Sequence, residues 1–169
     1  MLRVDLGPLR REGSVLVEVR VPSDHGLWDD SGLEWASDVD VSLSASFAGT
    51  GEMIVRGRVT GVLDQECRRC LQPVGTEIEE DVTMVFLGDA PEGEGDAEVY
   101  AFDAGGLDLD LGQAVREELI LAINPYVVCD PECRGLCPMC GTNLNEGACD
   151  CSEEEIDPRW EALRALKDR

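Results

Sequence analysis

Cysteine spacing constrains this chain more tightly than any other feature of it. Eight cysteines form four close pairs: Cys67-Arg-Arg-Cys70, Cys129-Asp-Pro-Glu-Cys133, Cys137-Pro-Met-Cys140 and Cys149-Asp-Cys151. Six of the eight fall within the 23 residues from Cys129 to Cys151. Tetrahedral zinc takes four soft, deprotonated ligands, and one tight turn supplies two of them when they stand close in sequence. The eight thiols therefore fit two closed sites of four ligands, each expected to hold one structural Zn²⁺. A catalytic zinc keeps a position open for water, and eight ligands shared by two sites leave none.

Two partitions fit the spacing. Cys137-Pro138-Met139-Cys140-Gly141 has the form of a zinc knuckle, in which Pro138 stiffens the turn and Gly141 permits a positive φ. Cys149 and Cys151 follow closely and would complete a local site. Cys67/Cys70 and Cys129/Cys133 would then form a long-range site bolting a distant turn to the tail. In the rival partition Cys67/Cys70 joins Cys137/Cys140, leaving Cys129, Cys133, Cys149 and Cys151 together. Thiol redox is the competing chemistry, because Arg68 and Arg69 between the first two thiols favour thiolate. The usual dithiol redox site opens a helix after a strand, whereas Pro73 and the alternation that follows it point to a hairpin.

The 169 residues suffice for one domain with a small metal-bound lobe. We divide them into 1–128, an antiparallel β domain carrying a hairpin knuckle and a helix, and 129–169, a Cys-rich zinc-binding tail with a terminal helix. Formal net charge is −22, from 36 acidic and 14 basic residues. Such a chain repels phosphate almost everywhere, which disfavours direct nucleic-acid binding. Opposite fields would instead steer it to a basic protein. The segment from Glu77 to Glu118 holds 14 acidic residues and one basic one, Arg116. Met1 to Gly7 has no apolar signal region, and the apolar run Leu119 to Ile123 is too short to span a bilayer. A cytoplasmic protein with no membrane partner is expected, and in a reducing compartment clustered cysteines hold metal rather than pair as disulfides.

Period-two alternation places strands over Val15 to Val21, Val39 to Phe47, Met53 to Leu63 and Val74 to Phe86. The first cysteine pair then sits at the tip of a hairpin. Gly57 and Gly61 interrupt a buried face and mark bulges or close approach. Pro22 to Asp38, with Trp28 and Trp35, reads as a long acidic flap, and His25 within it as a solvated or capping residue. Gly88 to Gly106 reads as a mobile connection with a short strand at Val99 to Phe102. A helix follows, with Asp110 and Gln113 as a capping box and Leu111, Ala114, Val115, Leu119 and Ala122 as its apolar stripe. Asn124-Pro125 ends it. A last helix starts at Asp157-Pro158 and carries Trp160, Leu163 and Leu166. The expected class is α+β: mainly antiparallel sheet or a partly open barrel, one central helix, a Cys-rich metal-binding segment and a short C-terminal helix. No nucleophile motif or phosphate loop stands out, so no catalytic residue is expected.

Several of these stretches resemble the YceD family, described as large ribosomal RNA subunit accumulation proteins. They are Glu66-Cys67-Arg68-Arg69-Cys70-Leu71, Leu109 with the Glu117-Glu118 helix and Asn124-Pro125, Cys133 to Asn145, Cys149-Asp150-Cys151, and Ile156-Asp157-Pro158-Arg159. The stretch Gly135-Leu136-Cys137-Pro138-Met139-Cys140-Gly141-Thr142-Asn143-Leu144-Asn145 is the most specific. The resemblance runs from about Val39 to the C-terminus. It implies a non-enzymatic part in building the large ribosomal subunit, and the acidic charge then makes a basic ribosomal protein or a precursor particle the expected partner. An alternative role is RNA binding through Arg56, Arg58, Arg68 and Arg69 on the hairpin.

Overall fold

The computed structural model describes residues 2–49, 51–88 and 99–151. The expected C-terminal helix, the run Glu153-Glu154-Glu155 and most of the Gly88 to Gly106 connection lie outside these residues. In chain order the elements are β1 (Arg3–Asp5), α1 (Leu6–Glu12), β2 (Ser14–Val21), a 3-10 turn (Gly26–Trp28), β3 (Glu34–Trp35), β4 (Val39–Phe47), β5 (Glu52–Glu66), β6 (Pro73–Gly88), β7 (Val99–Phe102), β8 (Asp108–Asp110) and α2 (Gly112–Ala122).

The main sheet runs β2-β4-β5-β6-β7, with β3 added beside β5. Every pairing in it is antiparallel except β6 with β7. No described strand joins β2 to β7, so the sheet is open rather than closed into a barrel. β5 and β6 form one long hairpin, in register from Glu52↔Leu87 to Glu66↔Pro73. Along one edge of β5, β4 pairs up to Thr60 and β3 takes over at Leu63. β1 and β8 make a separate two-stranded ribbon.

Alternation sorts the sheet into two faces. Val39, Val41, Leu43 and Ala45 on β4, Met53, Val55, Val59 and Leu63 on β5, and Ile78, Val82, Met84 and Phe86 on β6 are buried together. α1 packs on β2 and β4, α2 packs on β6, and the two helices contribute Leu6, Leu9, Ala114, Val115 and Leu119 to that core. The other face carries Leu16, Glu18, Arg20, Asp40, Ser42, Arg56, Arg58, Glu77, Glu79 and Asp81 into solvent.

The two internal glycines of β5 answer to close approach, and the register through them is unbroken. A Cβ on Gly57 would stand 2.0 Å from the Ser42 carbonyl oxygen on β4. A Cβ on Gly61 would stand 2.9 Å from the ring of Trp35. That ring explains the segment from Pro22 to Asp38. Trp28 and Trp35 are buried, with ring centroids 5.4 Å apart, and they fold the segment against the sheet. Trp28 Nε1 donates to the Pro22 carbonyl, and His25 Nδ1 caps the 3-10 turn by accepting from Leu27 N at 3.0 Å.

Two details of α2 differ from the sequence reading. Leu111 rather than Asp110 stands at the N-cap and gives no side-chain cap; Asp110 Oδ1 accepts from Gly112 N just before it, and Gln113 Nε2 turns to Glu117 Oε1 one helical turn on, so the capping box does not form. Ala122 is exposed, and Ile123, bent back by its N–H to the Leu119 carbonyl, is buried in its place. The N-terminal ribbon and α1 carry no clear period in the sequence, because three- and seven-residue elements hold at most about two repeats of their pattern.

Candidate metal centres

Both cysteine turns after which the sites are built have the same backbone. In the first, Cys67 N donates to Gln72 O and Leu71 N to Cys67 O, both at 2.8 Å. In the second, Cys137 N donates to Thr142 O at 2.8 Å and Gly141 N to Cys137 O at 2.9 Å. Each turn needs a left-handed residue just after its second cysteine. Gly141 fills that position at φ +75°, and Leu71 fills its counterpart at φ +59°. Gly141 was legible as such a residue; Leu71 was not, because a leucine seldom occupies that region.

The turns bring the eight sulfurs into two groups. Cys67, Cys70, Cys129 and Cys133 form an inner centre, and Cys137, Cys140, Cys149 and Cys151 an outer one, with all sulfurs in each group within 4.8 Å of one another. The rival partition, Cys67/Cys70 with Cys137/Cys140, is not assembled. In the inner centre Cys67 Sγ lies 3.8 Å from Cys133 Sγ, and Cys70 Sγ lies 3.5 Å from Cys129 Sγ. These are far longer than a disulfide bond, and all eight cysteines are free. They match a tetrahedron instead: ligands at about 2.3 Å from a central ion stand about 3.8 Å apart. Both clusters could hold metal ions.

Like charges this close cannot all ionise unaided. Burial pushes the Cys67 thiol up, but backbone hydrogen bonds from Cys129, Cys70 and Arg69 outweigh it and bring the thiol down to about 6. Cys129 is pushed up to about 12, first by its hydrogen bond with Cys70. The outer centre repeats the division: the Thr142 hydroxyl brings Cys140 down to about 6, and the hydrogen bond with Cys140 pushes Cys151 up to about 12. Each cluster thus has sulfurs ready to ionise beside sulfurs that keep their protons until a cation arrives.

The inner centre welds the hairpin tip to the chain after α2. Arg68 N donates to Val127 O and Leu136 N to Arg69 O, both at 3.0 Å. Arg69 Nη1 reaches the carbonyls of Pro131 and Cys133, each at 3.0 Å. Gly135, at φ +76°, lets this strand pass the tip; a Cβ there would meet the Arg69 carbonyl at 3.0 Å. Val74, Val128 and Leu136 pack around the sulfurs. Asn145 closes the stretch most specific to the family resemblance but was given no role there; its Nδ2 donates to Cys133 Sγ at 3.3 Å.

The four arginines that suggested an RNA-binding hairpin do not form one patch. Arg56 and Arg58 lie in mid-strand, about 30 Å from Arg68 and Arg69 at the tip. Arg58 is engaged by Glu79 and Asp81 on β6. Arg68 sits over the Tyr126 ring, 4.3 Å from its centroid. Arg20 pairs with Asp40 at 2.7 Å, and Arg3 pairs with Asp108 at 3.0 Å and Asp110 at 3.4 Å.

An open, mainly antiparallel sheet with helices on one face and two four-cysteine clusters, the inner one at its hairpin tip, defines a cysteine-centred α+β protein. Residues 55–167 match the family described as "Large ribosomal RNA subunit accumulation protein YceD". The chain belongs to that family. An uncharacterized protein of Mycobacterium tuberculosis is 29% identical over 169 residues, covering 96% of this chain and 79% of its own length. A Zea mays protein described as "Large ribosomal RNA subunit accumulation protein YCED homolog 1, chloroplastic" is 26% identical over 183 residues, covering 91% of this chain and 62% of that one. Its Arabidopsis thaliana namesake is 36% identical over 62 residues, 37% of this chain and 19% of that one. No solved structure matches the chain. No described helix is long and apolar enough to cross a membrane.

Proposed function

We propose that this protein is a non-enzymatic assembly factor for the large ribosomal subunit, acting in the cytoplasm. Two structural zinc ions hold its hairpin tip and tail in shape, and its acidic surface binds a basic ribosomal protein, free or on a precursor particle. Family membership carries the process. The observation that carries the mode of binding is the commitment of its arginines: Arg3, Arg20 and Arg58 are held by carboxylates, and Arg69 by backbone carbonyls. Most of the charge left for a partner is negative, with Glu77 and Glu80 on β6 standing outside the Arg58 pairs.

Zinc suits the donor set, because four thiolates at tetrahedral spacing leave no open position and demand no redox change. Cys67, Cys70, Cys129 and Cys133 would hold one ion, and Cys137, Cys140, Cys149 and Cys151 the other. The ions would supply folding energy on the order of 10 kcal/mol each, typical of structural zinc. On this reading the tail, 129–169, is a module docked on the β domain, 1–128, by the inner ion. A dithiol redox role fits less well, since Cys67 and Cys70 sit in a hairpin loop among four converging sulfurs.

The decisive experiment combines metal quantification with binding. Natively purified protein should carry about two zinc, and Cys67→Ser and Cys129→Ser should each remove the same equivalent. Pull-down of large-subunit ribosomal proteins should weaken steeply as salt rises. Equal recovery at low and high salt would defeat the acidic-surface reading. Loss of RNA retention on charge reversal of Arg56 and Arg58 would favour the RNA-binding alternative.

A further inference from the structure

Two centres of the same chemistry are built to unequal tightness. Cys67, Cys70 and Cys133 of the inner centre are buried, at 0%, 3% and 5% exposure, and its fourth sulfur, Cys129, is exposed. In the outer centre Cys137 alone is buried, while Cys140 and Cys151 are exposed. An incoming ligand must reach a metal–sulfur bond to displace it, and the outer centre offers two open sulfurs where the inner one offers one.

One side chain joins the centres. Asn145 lies in the loop that Cys140 and Cys149 close. Its Nδ2 donates to Cys133 Sγ of the inner centre at 3.3 Å, and its Oδ1 accepts from Arg134 N at 2.7 Å. Asn143 Oδ1 holds Asn145 in place, accepting from its N at 3.1 Å and its Nδ2 at 2.9 Å. Between them, Leu144 N donates to Gly135 O at 2.9 Å. A loop shaped by the outer sulfurs therefore delivers a hydrogen bond to an inner sulfur. Bonds of this kind orient a thiolate and spread its charge, and their loss weakens metal binding about 10- to 100-fold.

We propose that the outer centre is an exchangeable metal site that gates the inner one. It yields its ion first to a competing ligand, and Asn145 passes that loss on as a weaker hold on the inner ion. The inference rests on the metal reading above, and deepens it by assigning the two sites different roles. Asn145 is a positioning residue, acting through Cys133.

The test uses the full chain loaded with two equivalents of labelled zinc and challenged with a chelator buffered by unlabelled zinc, so that the outer centre stays filled while its label leaves. One equivalent should leave fast and one slowly. Cys140→Ser should abolish the fast phase and accelerate the slow one about tenfold or more. Asn145→Ala should keep both equivalents but speed the slow phase about 10- to 100-fold. Asn145→Asp, which keeps the acceptor for Arg134 N and loses the donor to sulfur, should do the same. With cobalt in place of zinc, Asn145→Ala should shift the thiolate-to-metal absorption of the slow centre, a signature that loosening of the loop alone would leave in place. Release of both equivalents in one phase, a fast phase that survives Cys140→Ser, or a slow phase indifferent to Asn145→Ala would each overturn the proposal. Protein that neither purifies with metal nor takes it up would overturn the metal reading itself.

Discussion

Replacing Gly57 by alanine should damage the sheet out of proportion to one methyl group. The added Cβ would lie 2.0 Å from Ser42 O, 2.7 Å from Leu43 Cα and 2.9 Å from Ser42 C. All three are backbone atoms of β4, so no side chain can swing aside. Ordinary contact is about 3.4 Å or more, so the strands must part locally by over an ångström, where hydrogen bonds weaken sharply. Gly57 faces Leu43, and two ladder bonds lost from the flanking pairs, Ser42 with Arg58 and Ser44 with Arg56, cost about 1 kcal/mol each. Strain from overpacking adds about 1 to 3 kcal/mol. The expected loss is about 3 to 5 kcal/mol, a large share of the roughly 5 to 15 kcal/mol that a domain possesses. Gly75→Ala on β6 is the matched control, since its nearest non-local atom, Val62 Cγ1, lies at 3.7 Å. It should be neutral or stabilise by about 0.5 kcal/mol through reduced unfolded-state entropy. Urea unfolding at fixed free zinc measures both, because metal binding otherwise shifts the midpoint. Equal stabilities for Gly57→Ala and Gly75→Ala would refute the β4–β5 register.

The same logic reaches the outer centre. Gly141 has nothing within 4 Å of a prospective Cβ but sits at φ +75°, so Gly141→Ala should weaken the outer metal about fivefold through backbone strain of about 1 kcal/mol. Gly147→Ala, equally open and without a positive φ, should leave the affinity unchanged in a chelator competition. The hydrogen bond with Arg58, together with its charge, holds the Asp81 carboxyl below its ordinary value of 3.8. A depressed folded value contributes stability above 3.8 and loses it as pH falls through the folded value. In Arg58→Gln the Asp81 titration followed by NMR should move back up, and that part of the acid sensitivity should disappear. An Asp81 titration unmoved by the substitution would exclude the pair in solution.

Much of the sheet was legible because its strands are long and half-buried. Asp40, Ser42 and Ser44 alternate with Val39, Val41, Leu43 and Ala45 over enough residues for the period to declare itself, and the strand runs Val39–Phe47 as expected. The hairpin tip was legible for the same reason, with period two on both sides of Cys67 and Cys70. Less regular pieces were not. α1 is only seven residues long, and β3 is defined by what Trp35 packs on rather than by any pattern of its own. The segment around Trp28 and Trp35 read as a flap because its charges dominate its composition, while two indoles decide where it lies.

The chemistry follows from residue types and their spacing: four pairs of thiols at knuckle spacing, a strongly acidic chain, and an alternation that can only bury one face. Tertiary structure decided the partition. Which pairs converge depends on where a 15-residue strand carries the first pair and where α2 returns the chain, and no local spacing encodes that. It also decided the fate of the arginines. Arg58, Arg68 and Arg69 are indistinguishable as free cations in a sequence, but a carboxylate across the hairpin, a tyrosine ring and two carbonyls claim them once the strands are in register. Charge and ligand type are properties of single residues; the pairing that spends or spares them is a property of the fold.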